Sequence, residues 1–264
     1  MNFKFVVPRM KGDEETFNNL NESMKLINSP VIIMSVSNDN PKECHIWFKY
    51  NQCIEAIKEQ GLADDDVIVF CHNDVVIKDN FFKEKIEMIF SETDVGLVGV
   101  IGTSELIESG CWWNADQNKL RGHILQGSKG TSDSFHLVKG SIGYFNDAIA
   151  VDGLILITTG KFLKESGIMF SSDYDNSHFY DLNFCLDFLL KGYNIAIADI
   201  MVYHQSQGSA NNQEAWTKSR DIFINKCKTI GLEFPINKDS IKKWKDSNNI
   251  LDKIKSKDII EVTI

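Results

Sequence analysis

The fold of this chain is decided by nine residues, Val67-Ile68-Val69-Phe70-Cys71-His72-Asn73-Asp74-Val75. An apolar run rich in β-branched residues ends abruptly at three polar residues, the last of which is a carboxylate. A buried parallel strand has this pattern where it reaches the open end of its sheet, and ligands of open α/β sheets gather at that end. The carboxylate either carries a divalent metal that holds a diphosphate or is a solvated turn residue at the strand end, and this stretch alone leaves both interpretations open.

Strand and helix patterns alternate on both sides of this stretch. Short apolar runs predict strands at residues 3–8, 31–36, 67–71 and 95–101, and helical spacing fills the gaps at 13–26, 46–60 and 79–90. Such alternation is the signature of βαβ units. We therefore predict an α/β fold with a mostly parallel central sheet flanked by helices.

The second half of the chain is less regular. Residues 105–146 are rich in Gly and Ser and predict extended or hairpin structure across one face of the sheet. Further strands are predicted at 150–157 and 195–203, with a helix at 179–191 between them, and the chain beyond residue 208 is helical and rich in lysine. We predict one domain over residues 1–210 and a helical C-terminal extension, residues 211–264, packed on it.

Composition narrows the class of protein. The 264 residues are 43% hydrophobic and 25% charged, as in a soluble globular protein, and the net charge of −9 argues against nucleic-acid binding. The six cysteines form no CxxC pair, so no zinc framework is visible. The N-terminus leads into a strand rather than a signal peptide, and no apolar stretch approaches the length of a membrane span. A reduced, cytoplasmic setting is expected.

Several segments resemble one family and follow one another in its order. They lie at residues 50–56, 69–75, 98–103, 110–113, 151–153, 179–185 and 203–204. Together they resemble GT-A glycosyltransferases, nearest to the family-2-like transferases with a StrF-type domain, over about residues 3–210. The resemblance implies the GT-A fold, a nucleotide-sugar donor with UDP-sugar preferred, Mn²⁺ or Mg²⁺, and an inverting displacement. The metal motif departs from the Asp-x-Asp of common members, because His72 stands where they carry the first carboxylate.

Three residues are the candidate metal ligands. Asp74 is the expected anchor of metal and diphosphate. His72 alternates with Asp74 along the strand, so both side chains can point the same way; it either ligates the metal, binds phosphate or is structural. His204 ends the last predicted strand and is either a third ligand or a loop histidine with its own partners. Asn73, inside the motif, is assigned to donor binding.

Asp181 is the predicted general base. An inverting transfer needs a carboxylate that takes the proton from the acceptor hydroxyl as this attacks the anomeric carbon. The alternative is that Asp181 lies in the first turn of its helix only because the helix dipole favours a negative charge there. The resemblance favours the base.

Four further residues are assigned to the donor through the resemblance: Pro8, Asn38, Asp39 and Asn51. The first three lie where the first two strands end, at positions that in this family hold the base and ribose of the nucleotide. Ordinary turn chemistry explains Asn38 and Asp39 equally well.

Two pairs are assigned to the sugar and acceptor. Asp152 and Gly153 place a carboxylate beside the sugar with a small neighbour that permits close approach, unless they form a plain turn. Trp112 and Trp113 offer an apolar platform for a sugar ring. If they lie on a strand they face opposite sides, so we expect one to be buried and the other to lie near the acceptor.

These assignments predict a transferase for surface polysaccharide or glycoconjugate synthesis, acting on a saccharide or lipid-linked acceptor. The C-terminal lysines either contact the anionic inner surface of the membrane or lie on the solvated side of a helix. Two other functions stay open. One is a sugar nucleotidyltransferase, because residues 8–12 weakly resemble the glycine-rich loop of such enzymes. The other is a non-catalytic nucleotide-sugar or glycan-binding module.

Overall fold

The computed structural model describes residues 1–9, 12–27, 30–37, 45–91, 94–127, 136–174, 178–206 and 213–258. Its first half follows the predicted alternation, with β1 (Phe3–Arg9), α1 (Glu14–Ser23), a 3-10 turn (Met24–Leu26), β2 (Val31–Ser37), α2 (Ile46–Glu59) and β3 (Val67–Cys71). β1 lies between β2 and β3 and is parallel to both. All of β3 is buried, which explains its unbroken apolar sequence.

The remaining elements complete an α/β fold. In chain order they are β4 (Val75–Ile77), α3 (Phe82–Phe90), β5 (Val95–Gly99), β6 (Ile101–Thr103), a 3-10 turn (Trp112–Asn114), β7 (Leu120–Gln126), β8 (His136–Lys139), β9 (Phe145–Ala148), β10 (Ala150–Val151), β11 (Ile155–Thr159), α4 (Gly160–Ser166), α5 (Tyr180–Lys191), β12 (Asn194–Ile197), β13 (Val202–His204), α6 (Gln213–Thr229) and α7 (Lys238–Asp258). The predicted fold class is confirmed.

The strands of the described residues form two sheets. The larger has the order β2-β1-β3-β11-β5-β12-β9, and the smaller has the order β10-β6-β7-β13-β4 with β8 beside β7. The prediction of single strands at 95–101, 150–157 and 195–203 was wrong, because each splits in two. At every split, and also between β3 and β4, the chain passes from one sheet to the other. β11 runs antiparallel to both its neighbours, against the parallel trend of the first half.

Two strand pairings bring the points where the chain changes sheet together at one edge. β13 pairs antiparallel with β4, so that His204 is opposite Val75, and the amide of Gln205 donates to the carbonyl of Asp74 at 2.8 Å. β11 pairs with β3, and the amide of His72 donates to the carbonyl of Leu154 at 3.0 Å. Polar residues from three distant parts of the sequence therefore meet where the two sheets join.

The C-terminal helices share the apolar core. Phe223 and Cys227 of α6 and Ile241 of α7 are buried in it. The boundary predicted at residue 210 stays a prediction. Cys71 and Cys185 are buried free thiols. Within the part of the chain that the structure describes, no helix is both long enough and apolar enough to cross a membrane.

Asn51 has a structural role in this fold, and its assignment to the donor stays a prediction. Its side-chain amide donates to the carbonyl of Phe170 at 2.8 Å and accepts from the amide of the same residue at 2.9 Å. The side chain thus replaces a strand partner for Phe170, which is buried in the core. The geometry gives no support to the donor-binding assignment of Asn51, because both ends of its amide group are engaged.

Replacing Asn51 with Ala leaves the two backbone groups of Phe170 without these partners. We expect Asn51→Ala to lower the free energy of unfolding by about 2 kcal/mol, measured by urea denaturation. Gln52→Ala, at an exposed position on the same helix, is the control and should change stability by no more than about 0.5 kcal/mol. An Asn51→Ala protein of unchanged stability that binds nucleotide sugars more weakly would restore the donor-binding role.

Candidate functional site

One cleft of about 270 Å³ lies at the edge where the two sheets join. Eight of the residues predicted from the sequence line it: His72, Asp74, Trp112, Trp113, Asp152, Gly153, Asp181 and His204. These side chains come from five separate segments of the chain. The fold therefore brings the predicted metal ligands, the predicted base and the predicted sugar-binding residues to a single cleft.

His72, Asp74 and His204 form a compact group of potential metal ligands. One ligand atom from each lies within 4.8 Å of the others, and Nε2 of His204 is 3.5 Å from Oδ1 of Asp74. Oδ1 of Asp74 is buried and has no hydrogen-bond partner among the described residues. A buried carboxylate oxygen without a donor is costly, and two imidazoles with one carboxylate suit a divalent transition metal. The group therefore fits a divalent metal ion.

The electrostatics of these three residues agree with that use. Burial lowers the pKa of His72, which keeps the imidazole in the neutral form that ligates metals. Burial alone would raise the pKa of Asp74, but its contact with His204 outweighs burial and lowers it. Burial also opposes the charged form of His204, but the contact with Asp74 prevails and raises its pKa. The carboxylate is thus held ionised.

The turn between β10 and β11, which contains Asp152 and Gly153, forms hydrogen bonds with other parts of the cleft. The carboxylate of Asp152 accepts from Nε1 of Trp112 at 3.0 Å and from the amide of Leu154 at 2.9 Å. The amide of Gly153 donates to Oδ2 of Asp181 at 2.9 Å. A Cβ on residue 153 would lie 2.3 Å from the hydroxyl oxygen of Tyr180, so only glycine fits there. The turn is held rigidly from both sides.

Asp181 lies in the first turn of α5, and its environment suits proton transfer. Burial raises its pKa to about 7, and the negative charge of Asp152 adds to the rise, although backbone amides of Leu182 and Gly153 oppose it. A carboxyl group poised near neutral pH both accepts and releases a proton readily. The helix dipole is therefore not the only reason for an aspartate at this position.

The residue before α5 has an unusual backbone. Phe179 has φ 62°, in the left-handed region, which costs a non-glycine residue about 1–2 kcal/mol. Its ring is buried against Trp216 and Phe223 of α6, with ring centroids 5.4 and 5.8 Å apart. Gly110 faces the same ring, since a Cβ there would lie 2.8 Å from Cε1 of Phe179. This packing offsets the strain and fixes the direction in which α5 enters the cleft.

The two adjacent tryptophans lie on a 3-10 turn and not on a strand. The separation into a buried and an exposed ring nevertheless holds: Trp112 is 6% exposed and Trp113 is 52% exposed. Their rings meet edge to face with centroids 5.6 Å apart, and both line the cleft. Trp216 lines it as well. The cleft thus has a polar floor and an aromatic wall.

Other predicted residues do not meet at this cleft. Pro8 and Asn73 are not among the residues that line it. Asn38 and Asp39 lie outside the described residues. The assignment of Pro8, Asn73, Asn38 and Asp39 to the donor stays a prediction.

Sequence reasoning assigned no role to seven residues that line the cleft: Gly110, His178, Phe179, Tyr180, Leu182, Ser206 and Trp216. The position of Tyr180 directly before the predicted base was a usable signal. The left-handed backbone of Phe179 leaves no mark in the sequence, because phenylalanine rarely adopts it. Trp216 was assigned to the C-terminal extension, and only the tertiary packing of α6 brings it to the cleft.

Solved structures with similar folds are glycosyltransferases. GalNAc-T7, in a structure with UDP, GalNAc and Mn²⁺, matches 94% of this chain and 55% of its own at 9% identity, with a TM-score of 0.51. The mannosyltransferase PcManGT from Pyrobaculum calidifontis, in complex with GDP-Man and Mn²⁺, matches 89% of this chain and 66% of its own at 10% identity, also with a TM-score of 0.51. The chain thus spans less than two thirds of each, and at such identities the likeness shows the fold alone.

A search of curated protein sequences found no match. The sequence model described as "Glycosyltransferase like family" matches residues 47–227, from the start of α2 to the end of α6. This match covers more than half of the chain and includes every residue that lines the cleft. The protein therefore belongs to this glycosyltransferase family, with the GT-A fold that the resemblance implied.

Proposed function

We propose that this protein is an inverting, metal-dependent glycosyltransferase that moves a sugar from a nucleoside-diphosphate donor, with UDP-sugar preferred, to a hydroxyl acceptor. The observation that carries the proposal is that the metal-ligand group and Asp181 face the same cleft. A metal site and a base of raised pKa together are what a single displacement with a diphosphate leaving group requires. The acceptor is a saccharide or a lipid-linked saccharide in surface polysaccharide or glycoconjugate synthesis.

The proposed reaction is one displacement. Asp181 accepts the proton of the acceptor hydroxyl as its oxygen forms a bond to the anomeric carbon. The bond between that carbon and the diphosphate oxygen breaks, and the nucleoside diphosphate leaves with the electron pair. His72, Asp74 and His204 would hold a divalent metal ion, which would supply Lewis-acid stabilisation of the charge on the diphosphate. Attack on the face opposite the leaving group inverts the anomeric centre.

The aromatic wall supports a saccharide as the acceptor. Sugar rings pack their C–H faces on indoles, and Trp113 offers a half-exposed ring inside the cleft. Trp216 adds a second indole from α6. The opposite, polar side of the cleft carries the metal-ligand group, which suits the charged donor.

Transfer assays distinguish this function from the alternatives. Release of UDP from UDP-sugars, with and without acceptor saccharides and MnCl₂, supports the proposal. Pyrophosphate release from a nucleoside triphosphate and a sugar phosphate would instead identify a nucleotidyltransferase. Calorimetric binding of UDP with no turnover of any donor would identify a binding module.

Asp74→Asn tests the metal site. At MnCl₂ concentrations near 100 times Kd, the metal should stabilise the wild-type protein by about 2.7 kcal/mol and raise Tm by roughly 5 °C. Asp74→Asn should lose this rise, because it removes the anionic ligand at the centre of the group. Glu59→Gln, which changes an exposed carboxylate on α2, should keep it. An unchanged Mn²⁺ shift in Asp74→Asn would refute the site.

Asp181→Asn tests the base. The amide keeps the size of the side chain but cannot accept the proton, so kcat for transfer should fall by about 10²–10⁴-fold. The Mn²⁺-induced rise in Tm should persist, because Asp181 is not a metal ligand in this proposal. Full transfer activity in Asp181→Asn would show that another group is the base.

The pH dependence of transfer follows from the raised pKa of Asp181. The base acts only when ionised, so kcat/KM should rise about tenfold per pH unit below the pKa of about 7 and level off above it. The measurement is kcat/KM between about pH 5.5 and 8.5, with circular dichroism to show that the fold is intact throughout. In Asp181→Asn the residual rate should lose this rise. A wild-type profile that is flat across this range would contradict the assignment.

A further inference from the structure

The hydroxyl of Tyr180 links a candidate metal ligand, His72, to the turn at Gly153. Its hydroxyl oxygen lies 2.9 Å from Nε2 of His72 and 3.1 Å from the carbonyl oxygen of Gly153, to which it donates. A hydroxyl has one proton, so if this proton goes to the carbonyl, the oxygen must accept from His72. The geometry thus places the proton of the neutral imidazole on Nε2.

The position of that proton decides how His72 can bind a metal. A neutral imidazole has one protonated nitrogen and one lone pair, so protonation at Nε2 leaves Nδ1 as the ligand atom. Metal-bound histidines commonly donate their other ring N–H to a neighbouring acceptor, which fixes both tautomer and ring orientation. The hydroxyl of Tyr180 is in the right place for this role.

The same hydrogen bonds continue to the catalytic base. Gly153 accepts from Tyr180 through its carbonyl and donates to Asp181 through its amide. Tyr180 and Asp181 are neighbours at the start of α5. Tyr180 is 2% exposed and its ring packs against Tyr50 and Phe170, so its hydroxyl is held firmly.

We propose that Tyr180 is a positioning residue that holds His72 as the Nε2–H tautomer, so that His72 binds the metal through Nδ1, and that ties this ligand to the segment carrying Asp181. The inference rests on the proposed metal site and deepens it. It assigns to Tyr180 a role toward the metal without direct contact with it.

Tyr180→Phe removes the hydroxyl and keeps the ring. The affinity for Mn²⁺, measured by calorimetry on the full chain, should fall about 10–100-fold. Tyr50→Phe is the matched control, because the hydroxyl of Tyr50 is also buried in the same aromatic cluster but has no hydrogen-bond partner in the part of the chain that the structure describes. Its Mn²⁺ affinity should equal that of the wild type. An unchanged Mn²⁺ affinity in Tyr180→Phe would overturn the inference and leave the metal site intact. A tighter Mn²⁺ affinity would have the same two consequences, because it would show that Tyr180 competes with the metal for Nε2.

The tautomer of His72 is measurable without any loss of fold. In ¹⁵N-labelled, metal-free wild-type protein, two-bond ¹H–¹⁵N correlation spectra should show His72 protonated at Nε2, assigned by comparison with His72→Gln. A proton on Nδ1 would overturn the inference even if Tyr180→Phe failed to fold. A wild-type protein that binds no Mn²⁺ would overturn both the metal site and this role of Tyr180.

Discussion

The site depends on the antiparallel pairing of β4 with β13. That pairing sets His204 beside Asp74, although the two residues are distant in the sequence. A buried carboxylate without a partner would cost several kcal/mol or take up a proton. Contact with His204 keeps Asp74 ionised, yet no described residue donates a hydrogen bond to Oδ1. The pairing therefore creates a charged oxygen that protein groups stabilise only in part, and in the proposed function a metal ion would complete its coordination.

The start of α5 shows how the fold supports an unfavourable local arrangement. Phe179 has a strained backbone, and Asp181 is placed where burial disfavours its charge. Aromatic packing against α6 offsets the first cost. A partly buried hydrogen-bond network, in which Lys226 of α6 contacts Asn183 and Asp187 of α5, fixes the helix further. α6 thus contributes both to the wall of the cleft and to the placement of Asp181, the proposed base.

The sequence predicts those features that come from a periodic pattern or from neighbouring residues, such as strands and the polar residues at their ends. The alternating apolar runs gave the strands of the first half, and the polar ends of β3 and β13 gave His72, Asp74 and His204 as candidates. The change of sheet within the predicted strands was not predictable, because a buried run looks alike whichever sheet holds it. The reciprocal bonds of Asn51 to Phe170 and the approach of Trp216 join residues far apart in sequence, and only tertiary packing produces them.

The replacement of the first carboxylate of the metal motif by His72 has a physical counterpart in Tyr180. The cleft already holds the carboxyl groups of Asp74, Asp152 and Asp181, and another negative charge would raise the pKa of Asp181 further. A neutral imidazole avoids this. It also donates a hydrogen bond, which an ionised carboxylate cannot do. A carboxylate at position 72 would take the proton of Tyr180 away from the carbonyl of Gly153 and break the connection to the base. A histidine at position 72 and a tyrosine at position 180 are therefore one arrangement, in which each residue requires the other.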